Sequence, residues 1–276
     1  MIREMILRGN EMSKYFQVFK VTFQEYFVYR LNFLLWRFRA VVQLLVLYFL
    51  WQAAIPEGVT IFGYDQAKIL TYILGTSVIR SFVLSSRSID VAGQIASGDL
   101  SNFLLKPLSY LKYWFAKDVT DKLLNLFFSL FEVSLIIIIL KPPLLAQTNL
   151  SLVFLALLAT ILGIILYFYL SFLLSLLAFW SPENPWPVRF LFDIFVGFFA
   201  GGLFPLDILP KGIFLVLRVM PFSYLLFFPL DIYLGKLNLG EIFIGFGICF
   251  LWIIIAYQAV RIFFRLGLKN YAAWGR

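Results

Sequence analysis

Leu150 to Trp180 is one continuous apolar run, longer than the roughly 20 residues that carry a helix across a bilayer. It is not isolated: the chain is 62% hydrophobic and 14% charged, with a mean hydropathy of +0.91 and 33 Phe. A soluble domain has about 25% charged residues and must cover its core with polar groups. An excess of apolar side chains this large cannot fit inside one aqueous core. Lipid removes the difficulty, and the chain reads as an all-α integral membrane protein.

Six apolar spans are expected, at about 31–55, 67–86, 123–140, 150–180, 188–204 and 239–260. Residues 1–30 read as a cytoplasmic N-terminus with an interfacial helix, 31–260 as one transmembrane domain and 261–276 as a basic tail. In the helix from Tyr15 to Arg30, Tyr15, Phe19, Phe23, Tyr26 and Phe27 share one face, with Lys14, Gln17, Lys20 and Gln24 opposite. That pattern suits a helix lying in the membrane interface; packing on a soluble domain is the alternative. No signal peptide is read at the N-terminus, and Met1 and Met12 both stand as possible starts. Arg37 and Arg39, near the start of the first span, are expected to snorkel to headgroups.

Pro205, Pro210, Pro221 and Pro229 break an apolar segment. Irregular backbone at membrane depth is tolerated only inside protein or along a cavity, so two short half-helices between spans five and six are expected. Basic residues decide orientation. Arg3, Arg8, Lys14, Lys20 and Arg30 precede span one; Arg87, Lys106, Lys112, Lys117 and Lys122 lie between spans two and three; four more follow span six. The opposite loops hold Lys68, Lys141, Lys211, Arg218 and Lys236 spread over more sequence. The positive-inside rule then places both termini in the cytoplasm. The net charge of +8 thus serves topology and lipid headgroups, and nucleic-acid binding is not expected.

The chain has no histidine, and its one cysteine, Cys249, sits in an apolar run. These facts exclude a disulfide framework, a Cys/His zinc site and a histidine-based triad. No P-loop, nucleophile elbow or close carboxylate pair is present. Gly245-Phe246-Gly247 lies within the last span, where a dinucleotide loop makes no sense, and Asn149-Leu150-Ser151 is a short pattern frequent by chance. No catalytic residue, bound cofactor or metal is therefore expected. Glu132 is the carboxylate well inside a span. An acid there faces water or protein, so it marks a path or forms a structural pair with Arg80. Arg189 and Asp193 are spaced for a local helix pair, and Gly197 and Gly201 for close helix packing, internal or across a dimer seam. Between spans two and three, Ser97 or Asp99 is placed to cap a short helix carrying Leu100, Phe103 and Leu104 and stopped before Pro107. An exposed apolar patch on that loop asks for a partner protein.

Taken in order, Lys14-Tyr15-Phe16, Tyr29-Arg30, Gly98-x-Leu100 through Leu105-Lys106-Pro107, Phe204-Pro205-Leu206, Met220-Pro221-Phe222, Leu234-Gly235-Lys236 and Gly267-Leu268-Lys269 resemble the ABC-2 type exporter permeases. The resemblance covers nearly the whole chain and implies a prokaryotic cytoplasmic membrane. It implies a second permease chain, the same or a sister, and separate ABC ATP-binding subunits that hold ATP and Mg. It also implies ATPase coupling through Gly98, Asp99, Leu100, Phe103, Leu104 and Pro107, and an outer gate at Pro205, Pro210 and Pro221. The substrate implied is hydrophobic or amphipathic: a drug, lipid or peptide. A polysaccharide or glycolipid exporter, a membrane-embedded lipid-modifying enzyme and a non-transporting scaffold are the competing functions; lack of histidine counts against the enzyme.

Overall fold

The computed structural model describes residues 11–28, 30–183 and 185–271. Met1, Arg3, Arg8, Tyr29, Asn184 and Arg276 lie outside the described residues. Among those described, the chain is helical, with a lone bridge between Ile61 and Tyr64 in a loop. The main helices are α1 (Glu11–Val28), α2 (Arg30–Ala54), α3 (Gln66–Val83), α4 (Ile89–Ala96), α5 (Leu100–Leu104) and α6 (Tyr110–Leu140). They are followed by α7 (Leu150–Ser175), α8 (Pro185–Phe199), α9 (Lys211–Val219), α10 (Phe227–Tyr233) and α11 (Leu239–Asn270).

Short polar side chains start several of these helices by satisfying free N–H groups. Asp65 accepts from the Lys68 amide at 2.8 Å to open α3, and Asn149 accepts from the Ser151 amide at 3.0 Å to open α7. The Asn149-Leu150-Ser151 pattern is thus a helix cap. Asn238 and Glu241 exchange bonds of 2.9 and 3.1 Å in a capping box that opens α11. Prolines bound others, as at Lys141-Pro142-Pro143, where Lys141 closes α6 in the left-handed region at φ 45°.

Among the described residues, four helices are long and apolar enough to cross a membrane: Phe33–Ala54, Tyr110–Leu140, Leu150–Phe179 and Leu239–Asn270. Two boundaries differ from the sequence expectation. The third span is part of a helix that starts at Tyr110, not near 123, so most of the supposed polar loop is helical; the last helix runs to Asn270, carrying Arg261, Arg265 and Lys269 with it. Helix hydrogen bonding continues past the apolar limit because charged side chains tolerate a helix as well as a loop does. The other two expected spans are weaker. α3 has Ile69 to Leu74 buried inside the bundle, so polar Thr71 and Tyr72 sit among protein rather than lipid. α8 ends at Phe199 rather than 204 and starts at Pro185, taking in the end of the proline-rich turn.

The packing inverts the soluble pattern. Leu150, Phe154, Leu157 and Ile161 form an exposed helical stripe on α7, whereas Ala156, Ala159 and Gly163 are turned inward. Small residues inside and large ones outside suit helices that gain nothing by hiding leucine from lipid. α7 is the central post, packed against α11, α10 and α3; α3 also packs on α6 and α2, and α1 lies along α6. Cys249 is buried in the α7–α11 cluster, as a small hydrophobe.

The end of α3 is held by a lysine. Lys122 on α6, 5% exposed, donates to the carbonyls of Phe82 at 3.0 Å, Val83 at 2.9 Å and Ser85. A cation there meets the negative end of the helix dipole. Replacing it by methionine leaves three buried acceptors without their donor, at a cost of about 2 kcal/mol or more. Lys122→Met is expected to lower the thermal unfolding midpoint of the detergent-purified protein by several degrees; an unchanged midpoint would mean the clamp carries no stability.

Candidate functional site

The loop module after α3 is built on that clamp. The Arg87 amide donates to Asp118 at 3.1 Å, Arg87 lies 3.5 Å from Asp121, and the hydroxyls of Ser88 and Ser171 are 2.6 Å apart. α4 then packs on the end of α7 through Val91, Ala92 and Ile95. Gly98, at φ +84°, turns the chain into α5 in a conformation costly for residues with a Cβ. Neither candidate cap acts as one: Asp99 occupies the N-cap position but makes no side-chain cap bond, and instead accepts from the Ser97 hydroxyl at 2.7 Å.

The expected apolar patch is redistributed. Leu100 and Phe103 are buried rather than exposed. Phe103 lies 4.9 Å from the Tyr110 ring and 4.8 Å from that of Tyr113, and Tyr110 also packs on Phe172 and Phe264. These residues tie the module to α6, α7 and α11. Leu104 at 48% exposure and Leu105 at 86% are the apolar side chains that face outward, next to exposed Pro107. Leu105, adjoining Lys106-Pro107, was missed as a candidate because α5 periodicity drew attention to Leu100 and Phe103.

Inside the bundle, Glu132 pairs with Arg37, not with Arg80. Arg37 Nε donates to Glu132 at 2.7 Å, Nη2 contacts the other carboxylate oxygen, and Nη1 reaches Asn125 at 3.3 Å. Arg37 is therefore buried in an ion pair rather than snorkelling. An Arg one turn into a span is stable when an acid on a neighbouring helix meets it. Arg189 and Asp193 do pair, at 3.0 Å, and Arg189 also donates to Ser171 and, at 2.7 Å, to Tyr167. These pairs line a cavity of about 320 Å³ between α2, α3, α6, α7 and α8, together with Arg39 and Arg80.

The proline-rich segment forms two short helices, α9 and α10, with 3-10 turns at Leu206–Ile208 and Pro221–Tyr224. Pro205 and Pro221 are buried and Pro210 is exposed, each starting a helical turn. The carbonyls released by the breaks find donors on other elements. Trp51 donates to Leu203 at 3.0 Å, Tyr72 to Gly201 at 2.7 Å, Tyr224 to Arg218 at 2.7 Å and Trp252 to Val219 at 2.8 Å. Gly201, at φ +81°, lies past the end of α8 and against Tyr72 and Phe227. It is thus a close-approach turn, not half of a helix-packing pair, while Gly197 remains in α8 beside Arg80.

Asp207 accepts from Tyr64 at 2.9 Å and pairs with Lys236, whose ammonium sits 3.7 Å above the Tyr64 ring. Asp231 is buried nearby, its Oδ1 without a hydrogen-bond partner among the described residues.

The family model described as ABC-2 family transporter protein matches residues 41–275. The chain belongs to this family of membrane transport permeases; the match begins after α1 and the first part of α2. A comparison with curated proteins gave no match.

One outcome follows from the buried Arg37–Glu132 pair. Glu132→Ala leaves Arg37 unpaired and is expected to cost up to about 3 kcal/mol, whereas Arg37→Leu with Glu132→Leu recovers most of it; thermal unfolding of the single and double variants checks this.

Proposed function

We propose that the chain forms the translocation path of an ATP-driven exporter as one of two permease chains, the same or sister, with hydrolysis carried out by separate ABC ATP-binding subunits. ATP and Mg would be held there and not by this chain. In this reading α3 and α8 complete six crossings beside the four long apolar helices. α1 lies in the interface, and both termini face the cytoplasm of a prokaryotic inner membrane. The cargo is hydrophobic or amphipathic, in keeping with a path lined by apolar helices.

The observation that carries the coupling assignment is the split within the α4–α5 module. Leu100 and Phe103 anchor it to α6 and α7, while Leu104, Leu105 and Pro107 face outward, where an apolar surface needs a cover. Closure of ATP-bound partner subunits would push on this surface. The buried anchors would transmit the push to α7, and the proline-broken segment at Pro205, Pro210 and Pro221 would open or close the far end. Coupling of this kind is a population shift between two packings, driven by unequal affinity of the ATP-bound partner for each. Gly98 and Asp99 set the turn that presents the surface.

Coexpression with the cognate ATP-binding subunit tests this. Leu105→Asp is expected to cut co-purification and permease-stimulated ATP hydrolysis at least tenfold while the permease keeps its unfolding midpoint. Leu100→Asp lowers the midpoint instead. Undiminished co-purification and stimulation with Leu104→Asp and Leu105→Asp combined would remove the module from the coupling interface.

A further inference from the structure

The cavity between α2, α3, α6, α7 and α8 carries an excess of positive charge. Arg37, Arg39, Arg80 and Arg189 line it against Glu132 and Asp193. Arg37 and Arg189 are each used in an ion pair. Arg80 is different: it makes no ion pair or hydrogen bond among the described residues. Its guanidinium rests against Gly197 and Gly202, where a Cβ would come within 3.7 and 3.3 Å of its nitrogens. Arg39 adds a second unpaired charge, stacked over Trp36 at 5.1 Å.

A guanidinium held among membrane helices without a direct ion pair is costly, and such residues mark ligand or ion paths; Asp193, which also lines the cavity, is already paired with Arg189. The rest of the lining says what kind of ligand would lower that cost. Phe33, Trp36, Leu47 and Val196 supply apolar wall beside the arginines. Guanidinium offers planar, paired N–H donors that fit a phosphate or carboxylate. The glycines beside Arg80 leave its fork uncovered, whereas side chains there would crowd it.

We propose that this cavity binds the anionic headgroup, a phosphate or carboxylate, of an amphipathic molecule, with Arg80 and Arg39 contacting the anion and the apolar wall receiving the start of its chain. This deepens the exporter reading and rests on it for the ligand's passage, though binding itself belongs to the permease alone.

The test uses the purified full chain in phosphatidylcholine nanodiscs, with empty discs subtracted. Dodecyl phosphate, dodecylphosphocholine and inorganic phosphate are titrated in turn. Saturable binding of dodecyl phosphate at least tenfold tighter than of its zwitterionic counterpart is expected. Arg80→Gln should weaken it tenfold or more, and Arg80→Lys less. Inorganic phosphate should compete only weakly; if it bound as tightly as dodecyl phosphate, the amphipathic part of the proposal would fall. Equal affinity for the two dodecyl compounds, or affinity unmoved by Arg80→Gln, overturns the site. Should Arg80→Gln fail to fold, Arg39→Gln replaces it, and unchanged affinity there has the same consequence. Loss of ATPase association would sink the exporter reading and leave this binding intact; absent binding with normal ATPase coupling would do the reverse.

Discussion

Lys122 reaches across from α6 and donates to the last carbonyls of α3. A helix end in water can leave those acceptors to solvent, but one buried among membrane helices cannot. Because the lysine is fixed on α6 and paired with Asp118 at 3.3 Å, it determines where α3 stops relative to α6. The turn that follows is then pinned by Asp118 and by the Ser88–Ser171 contact, and α4 can only leave along the end of α7. The position of the outward-facing Leu105 is thus a consequence of how one helix terminus is satisfied.

The same demand shapes the proline-broken segment. Prolines remove donors and release carbonyls, and lipid offers no replacement. Trp51, Tyr72, Tyr224 and Trp252 each give one donor to a released or terminal carbonyl. These side chains have an apolar body that packs and a polar tip that bonds, which explains why Tyr and Trp rather than Ser or Asn do this. The break is therefore a second interlocked body beside α7, joined to α2 and α3 by these hydrogen bonds and to α11 by the Trp252 bond and the Arg218–Glu241 pair.

Much of this was legible before the structure. Apolar runs and prolines located the four long helices and the two half-helices, because length and composition alone decide whether a segment can lie in lipid. The caps at Asp65, Asn149 and Asn238 obey local rules but were not among the expectations, and the cap expected at Ser97 or Asp99 does not form. Partner choice was not legible. Glu132 was expected to mark a path or pair with Arg80, and Arg37 to snorkel, but the rotation of α2 and α6 against each other gives the acid to Arg37. Leu100 and Phe103 matched an exposed amphipathic turn, yet Tyr110 and Tyr113 of α6 cover Phe103, and Leu100 is buried in the same cluster against α6 and α7. Gly201 matched a helix-packing spacing, but the helix ends two residues earlier.

By itself, the sequence determined that this chain lives in lipid as helices and where those helices break. Those properties depend on the content of contiguous segments, which transfer free energy reads without reference to neighbours. Only the tertiary structure decided which arginine is paired and which is left facing a cavity, and which side of the α4–α5 module is anchored. Those outcomes depend on the rotation and depth of one helix against another, and a shift of a single residue, about 100° around a helix, exchanges buried for exposed.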